Sequence, residues 1–221
     1  MHRNALPLVA LAVSAVALAA CGGGAESTAG AGLPPGCQQV SKPPPEHRQL
    51  KRPPQTVQPG ERLTATVETS CGRFDIRLDT TASPKTVNSF VYLAKKGFYD
   101  DTIFHRIVPG FVVQGGDPLQ NRQGGPGYTI TEKPPPNTTY TKGTVAMAKT
   151  SVEPAGRSGS QFFIVTQAVA NLPPIYAILG KVSSGYDVVK NIDKLGDRAS
   201  GSTGTPLATV LVRRITIHGG G

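Results

Sequence analysis

Apolar and polar side chains alternate along two neighbouring stretches of the chain, at positions 64–69 and 72–78. A period of two is typical of strands that bury one face, and the Cys71-Gly72 step between the stretches predicts a hairpin. The pattern therefore predicts a mainly β protein. Further short apolar runs predict strands at 110–114, 143–148, 162–166, 177–182 and 209–217.

Two other segments repeat apolar residues at helical spacing. Ser83 and Pro84 are typical of the cap and first position of a helix, and Gly97 is typical of its end. A second helix is predicted from about Gly185 to Leu195. Many short strands with two well-separated helices predict a closed antiparallel barrel.

The first residues have the composition of an export signal. Positions 5–20 are almost wholly apolar, which at sixteen residues is shorter than the ~20 that a membrane-spanning helix needs. The run ends in Leu18-Ala19-Ala20-Cys21, which resembles a bacterial lipobox, where the cysteine is lipidated after cleavage; an ordinary signal peptide with an incidental cysteine is the alternative. We expect residues 1–20 to be removed and Cys21 to anchor the protein on the extracytoplasmic face of the cell membrane, since a diacylglycerol carries two chains.

The next segment is rich in glycine and proline. Its prolines exclude a helix or a central strand, so residues 21–60 are predicted to form an extended tether. Residues 61–221 are predicted to form a single domain.

Two cysteines remain beyond the lipobox, Cys37 and Cys71. Outside the cytoplasm an even pair favours a disulfide; the alternative is two free thiols, with Cys71 buried at a strand end. A bond would close a loop of about 35 residues, for which chain entropy gives roughly 4 kcal/mol of stabilisation. It would also lay residues 38–60 as a strap across the domain.

Several classes of function are not favoured. The net charge is +9, but no dense lysine or arginine run accompanies it, so we expect no nucleic-acid partner. The four histidines lie far apart without paired-ligand spacing, so we expect no metal and no other cofactor. The stretch 156–160 misses the glycine that ends the nucleophile elbow of serine hydrolases.

The stretch from Phe104 to Asp117 carries polar side chains inside an apolar run. Strand alternation predicts that Phe111 and Val113 face one way, and Val112 and Gln114 the other. A guanidinium and a carboxamide beside an apolar ring suit a ligand that is half apolar and half amide, such as a peptidyl-proline.

The same stretch resembles the signature of the cyclophilin-type peptidyl-prolyl isomerases. The resemblance covers roughly Leu63 to His218 and implies an eight-stranded antiparallel closed β-barrel with an α-helix capping each end. Other segments match the family in order, at 83–90, 97–102, 145–149, 159–164, 179–182 and 215–217.

The resemblance implies an enzyme that accelerates X–Pro isomerisation in exported or envelope proteins, acting as a monomer. Arg106 occupies the place of the family's catalytic arginine, where it would donate a hydrogen bond to the prolyl nitrogen as the amide twists. Since the reaction moves no proton, His105 is interpreted as a packed structural residue. The alternative function is a non-catalytic proline-peptide-binding or chaperone module that uses the same groove.

The remaining site residues are also implied by the resemblance. Gln114 would bind the substrate carbonyl, Ala148 and the backbone of Lys149 would pair with the substrate main chain, and Gln161 would hold the shape of the site. The proline ring would be enclosed by Phe111, Val112, Phe163 and Leu172, with Tyr176 at the same pocket.

The chain departs from the family's pattern near that pocket. Asn171 stands where eukaryotic members usually have tryptophan, and Tyr176 stands at the position of a common histidine. Lys149 replaces an asparagine, and Pro173-Pro174 replaces an Asp-Gly turn. Arg106 is retained, so we expect activity to survive. Lys149 predicts a preference for substrates with nearby acidic residues.

Overall fold

The computed structural model describes residues 1–2 and 32–219, so the predicted signal segment from position 3 onward and Cys21 lie outside the described residues. The described chain is mainly β, with helices α1 (Pro84–Lys95) and α2 (Tyr186–Asp193) and a short 3₁₀ segment at Arg198–Thr203. Its strands are β1 (Leu63–Thr69), β2 (Gly72–Leu78), β3 (Thr102–Ile103), β4 (Arg106–Val108), β5 (Val112–Gly115), β6 (Ile130–Thr131), β7 (Tyr140–Thr141), β8 (Thr144–Met147), β9 (Arg157–Ser158), β10 (Phe162–Val165), β11 (Val169–Ala170), β12 (Ile178–Ser184) and β13 (Leu211–Gly219).

Nine of these strands form one curled sheet in the order β3-β13-β1-β2-β12-β8-β10-β5-β4. The predicted β1–β2 hairpin is present, with Thr69 paired to Gly72. Alternation works as predicted in β1, where Leu63, Ala65 and Val67 are buried in the main core between the sheet and the helices. The four strands of two residues outside this sheet pair as β6–β9 and β7–β11, and such short pieces leave no periodic pattern for sequence to reveal.

The expectation of a closed eight-stranded barrel was wrong, because the sheet is a curled half-barrel whose edge strands β3 and β4 are not paired with each other. Only Phe104 and His105 separate these two strands along the chain. These two residues form no turn, so the chain runs on from one edge of the sheet to the other and does not fold back into a two-residue hairpin that would pair β3 with β4.

Helix α1 begins at Pro84, as the sequence predicts, but Ser83 makes no side-chain capping bond. The carboxylate of Glu132 accepts hydrogen bonds from the backbone N–H groups of Lys85 and Thr86 instead. An acid at the amino end also complements the helix dipole. The cap is thus supplied from a distant loop, which local sequence does not show.

The described part of the predicted tether, residues 32–60, lies along the domain as a strap. Cys37 and Cys71 are joined by a disulfide with an S–S distance of 2.07 Å. At the far end, the side chain of Asn88 accepts bonds from the backbone of Thr56 and Val57 and donates one to the carbonyl of Pro54. The strap is therefore held at both ends.

Within residues 1–2 and 32–219, no helix has the length and apolar character to cross a bilayer.

Candidate active site

Arg106 and Gln114 lie opposite each other on strands β4 and β5. The half-buried guanidinium donates from Nε and Nη2 to the carbonyl oxygen of Ser202, at 3.2 and 3.0 Å, and from Nη1 to Oε1 of Gln114 at 3.3 Å. Burial lowers the pKa of Arg106, and the positive charge of Arg122 lowers it further. An arginine nonetheless stays charged in a protein, so the site holds a fixed cation.

The side-chain amides of Gln114 and Gln161 extend this chain of hydrogen bonds. Gln114 donates from Nε2 to Oε1 of Gln161 at 3.2 Å, and Gln161 donates in turn to the carbonyl of Gly124 at 3.0 Å. Gly124 has to be a glycine here, because an added Cβ would overlap the carboxylate of Asp117. The relay runs from Arg106 through both glutamines to a glycine-rich loop, and it fixes each polar group.

A small apolar cluster lies beside the relay, separate from the main core. Phe163 pairs with Gln114 across the β10–β5 ladder, and its ring meets the ring of Tyr176 edge-on with centroids 5.4 Å apart. The structure brings the predicted ring-pocket residues together in this cluster. Its buried members include Val112 and Phe163, and its partly buried members include Phe111, Ala148, Leu172 and Tyr176.

The predicted alternation fails at Phe111. Its side chain packs with Val112 in the small cluster, whereas Val113 is buried in the main core. The reason is that β5 begins only at Val112, while Phe111 belongs to the turn after Gly110, whose φ of 74° suits glycine. Strand parity therefore does not apply to the aromatic residue of the signature.

Comparison with known proteins identifies the family to which the chain belongs. The family model for cyclophilin-type peptidyl-prolyl cis-trans isomerases matches residues 64–217. The chain belongs to this family. Peptidyl-prolyl cis-trans isomerase B of Streptomyces anulatus is 35% identical over 175 residues, which are 72% of this chain and 98% of the relative. Its counterpart in Bacillus subtilis is 42% identical over 123 residues, 54% of this chain and 82% of the relative.

Solved cyclophilins share the fold. A Cryptosporidium parvum cyclophilin crystallised in the presence of the dipeptide Ala-Pro has a TM-score of 0.64 and 29% identity, covering 71% of this chain and 99% of the neighbour. The protein is thus a cyclophilin-type peptidyl-prolyl cis-trans isomerase, as the motifs predict.

This cyclophilin supports its ring pocket with residues that sequence reasoning missed. The hydroxyl of Tyr140 donates to the carbonyl of Tyr176 at 2.8 Å and accepts from its N–H at 2.9 Å. Tyr140 is fully buried although it lies in a polar, proline-rich stretch, and a lone aromatic residue in such a stretch is the only signal the sequence offers. The exposed Asn171 and the Pro173-Pro174 step border this pocket without entering the apolar cluster.

The turn that carries Phe111 is held from helix α2. Both carboxylate oxygens of Asp193 accept from the N–H of Gly110, at 3.1 and 3.0 Å, and one also accepts from the hydroxyl of Thr166 at 2.8 Å. The backbone N–H of Thr166 donates to the carbonyl of Phe111 at 2.9 Å. Asp193 therefore acts as a positioning residue for the ring pocket.

Lys149 follows Ala148 at the edge of the site. Its ammonium group donates to the carbonyl of Thr150 at 2.7 Å and lies 5.8 Å from the ring centroid of Tyr176. The charge is therefore held over the rim of the ring pocket, within reach of a bound peptide. The preference for nearby acidic residues stays a prediction.

His105 is buried between the two edge strands, and neither ring nitrogen has a hydrogen-bond partner in the described part of the chain. Burial lowers its pKa to about 4, partly offset by Asp117. The ring is therefore neutral at pH 7 and belongs to the packing. Residues 1–2 and 32–219 contain no cluster of three or more His, Cys, Asp or Glu side chains that could hold a metal ion.

Proposed function

We propose that Arg106 is the catalytic residue and that it donates a hydrogen bond to the prolyl nitrogen of the substrate. Rotation about a peptide bond has a barrier of ~18–20 kcal/mol, because the nitrogen lone pair is delocalised into the carbonyl. As the bond twists, the lone pair returns to the nitrogen and becomes an acceptor. A donor placed there binds the twisted state more tightly than the planar one, which is what lowers a barrier.

The observation that carries this proposal is the anchoring of the guanidinium beside the apolar cluster. A guanidinium has five N–H donors, and three of them are taken by Ser202 and Gln114. The bonds fix its plane and leave two N–H groups without a partner among the described residues. Because the group is already oriented, little entropy is lost when it meets the twisted amide.

The neighbouring residues complete the site. The proline ring binds in the cluster of Phe111, Val112, Phe163, Leu172 and Tyr176, and the carbonyl of the residue before proline accepts from the carboxamide of Gln114. The backbone at Ala148 and Lys149 offers a short edge for the substrate main chain, and Gln161 orients Gln114. This assignment is supported by the shared cluster and by the relay of hydrogen bonds.

We also propose that the enzyme is a lipoprotein on the extracytoplasmic face of the membrane, where it acts on exported proteins. The supporting observations are the lipobox at Cys21 and the disulfide between Cys37 and Cys71, which is typical of oxidising compartments. Cleavage before Cys21 would leave the strap and the domain as one anchored unit. Replacing Cys21 by serine should move the protein from the membrane to the soluble fraction, and retention in the membrane would contradict this proposal.

The catalytic proposal is tested on the soluble fragment that begins at Gly22. Isomerisation of an Ala-Pro-Phe peptide should fall by about a hundredfold or more in Arg106→Ala, equivalent to about 2.7 kcal/mol of barrier. The folded state of the variant is checked by circular dichroism and its melting temperature. A folded variant with the activity of the parent would remove Arg106 from the mechanism.

A further inference from the structure

A cavity of about 820 Å³ adjoins the two glutamines of the relay. Gln114 and Gln161 belong to its lining, so it is continuous with the candidate active site. The glycine-rich loop at 122–127 and the segment 148–150 form two of its sides. The third side is formed by His47, Arg48 and Gln49, which belong to the strap.

The strap is fixed against the glycine-rich loop where it borders this cavity. The N–H of Glu46 donates to the carbonyl of Pro118 at 2.9 Å, and the N–H of Leu50 donates to the carbonyl of Pro126 at 2.8 Å. Between these bonds, Gln49 packs so closely on Gly127 that an added Cβ would lie 3.4 Å from it. This wall of the cavity is therefore ordered.

The side chain of Arg48 also holds this part of the strap against the domain. Its Nη1 donates to the carbonyls of Phe98 and Asp100, both at 2.7 Å, and its Nη2 pairs with the carboxylate of Glu46 at 2.7 Å. The guanidinium of Arg48 is therefore bonded to the domain. Its neighbours His47 and Gln49 are exposed and line the cavity.

We propose that His47 and Gln49 are substrate-contacting residues that select the side chains preceding the X–Pro bond. The inference rests on the proposed function, which places the proline ring in the apolar cluster and the preceding carbonyl at Gln114. That carbonyl belongs to the residue before proline, so the chain before it continues past Gln114 into this cavity. The strap then adds a wall that the half-barrel domain by itself does not supply.

The charges around the cavity indicate which side chains it accepts. Among the described residues, one carboxylate lines it, that of Glu153, which already accepts from the N–H and hydroxyl of Thr150. The cavity should therefore favour an acidic side chain at the second residue before proline. Among the described residues, its positively charged lining consists of Arg48, Arg122, Lys149 and Arg157. Arg48 is paired with Glu46 and Arg157 with Glu153, so the net positive charge comes from Arg122 and Lys149.

The test introduces a charge at Gln49, on the side of the cavity that the strap forms. Peptides Glu-Ala-Pro-Phe and Lys-Ala-Pro-Phe are compared by NMR exchange at low salt, which avoids a coupling protease with its own charge preference. Gln49→Glu should lower the ratio of kcat/KM for the Glu peptide over the Lys peptide by about fivefold, and Gln49→Lys should raise it by about fivefold, as expected for charges ~8 Å apart in water. Both effects should shrink at high salt.

Gln39 provides the matched control, since it is an exposed glutamine of the same strap outside this cavity. Gln39→Glu and Gln39→Lys change the net charge equally but should leave the ratio unchanged. Unchanged ratios in the Gln49 variants, or equal changes in the Gln39 variants, would overturn the inference. If the parent itself isomerises neither peptide faster than solvent, the catalytic proposal fails instead, so the two failures are distinguishable.

Discussion

The guanidinium of Arg106 donates to the carboxamide oxygen of Gln114, 3.3 Å away across the β4–β5 ladder. Because Gln114 bonds Gln161 with its other end, the orientation of the carboxamide is determined on both sides. Replacing one of these three side chains removes a hydrogen bond that orients its neighbour. The site should therefore respond to substitution in a graded way along the relay.

We predict that Gln114→Ala lowers kcat/KM by about ten- to a hundredfold, and that Gln161→Ala lowers it less. Gln114→Ala removes a partner of Arg106 and the proposed donor to the substrate carbonyl, whereas Gln161→Ala removes only the orientation of Gln114. Lost hydrogen bonds to charged groups are worth about 1.5–3 kcal/mol. Isomerisation of one Ala-Pro-Phe peptide by all variants measures the order, and a larger loss in Gln161→Ala would contradict the relay.

A second prediction concerns Asp193, which lies outside the family signature. Asp193→Ala should raise KM and lower kcat/KM by about tenfold, because the N–H of Gly110 and the hydroxyl of Thr166 both lose the carboxylate that holds the turn of Phe111 in place. The matched control is Asp187→Ala, which removes an exposed acid from the same helix. Rescue by Asp193→Glu would support a positioning role, while equal activity of both alanine variants would exclude it.

The difference between these residues shows what sequence could and could not predict. The sequence predicted that Arg106, Gln114 and Phe163 belong to one site, and the structure places them on paired strands, because short contiguous motifs carry them. Asp193 and Tyr140 were missed because each acts on a residue distant in sequence, and neither local propensity nor periodicity reports such contacts.

The fold, too, has parts that the sequence predicts and parts that it does not. The long strands and both helices follow periodic patterns, and the sequence predicted them to within a few residues. Closure of the sheet was predicted wrongly, because it depends on whether β3 and β4 pair, and these strands have two and three residues. Strands of this length are decided by tertiary contacts, such as the bonds of Phe104 to Val210 and of Ile107 to Gly204.

We predict that His105 makes stability depend on pH below neutrality. Its pKa falls from an ordinary 6.5 to about 4 on folding, first through burial, with Arg122 and Arg106 lowering it and Asp117 raising it. Between pH 6.5 and 4 the unfolded state binds a proton that the folded state does not, so the free energy of unfolding decreases as pH falls, by about 3 kcal/mol in total.

Urea unfolding at pH 7 and pH 4.5 measures this effect for the parent and for His105→Gln, which cannot titrate. The parent should lose more stability than the variant over this interval, because other titrating groups are common to both. An equal loss in the two proteins would show that His105 binds a proton as readily in the folded state as in the unfolded state, and would contradict the lowered pKa of the buried imidazole.

The last prediction concerns the disulfide that fixes the strap. Cys37 and Cys71 are 34 positions apart, and a cross-link of this span restricts the unfolded chain by about 4 kcal/mol in the chain-entropy model. The Cys37→Ala, Cys71→Ala double variant should lose about that much in urea unfolding. The loss should fall mainly on global stability, since Asn88 and the bonds of Glu46 and Leu50 still hold the strap.

Reduction of the parent with a thiol provides the control, because it breaks the same cross-link without changing a side chain. Cys71 is buried, so the double variant also loses some packing, and the reduced parent should be slightly more stable than the variant. Agreement of the two to within about 1 kcal/mol would assign the effect to the cross-link. A reduced parent that unfolds at the same urea concentration as the oxidised one would show that the disulfide adds nothing to the free energy of unfolding.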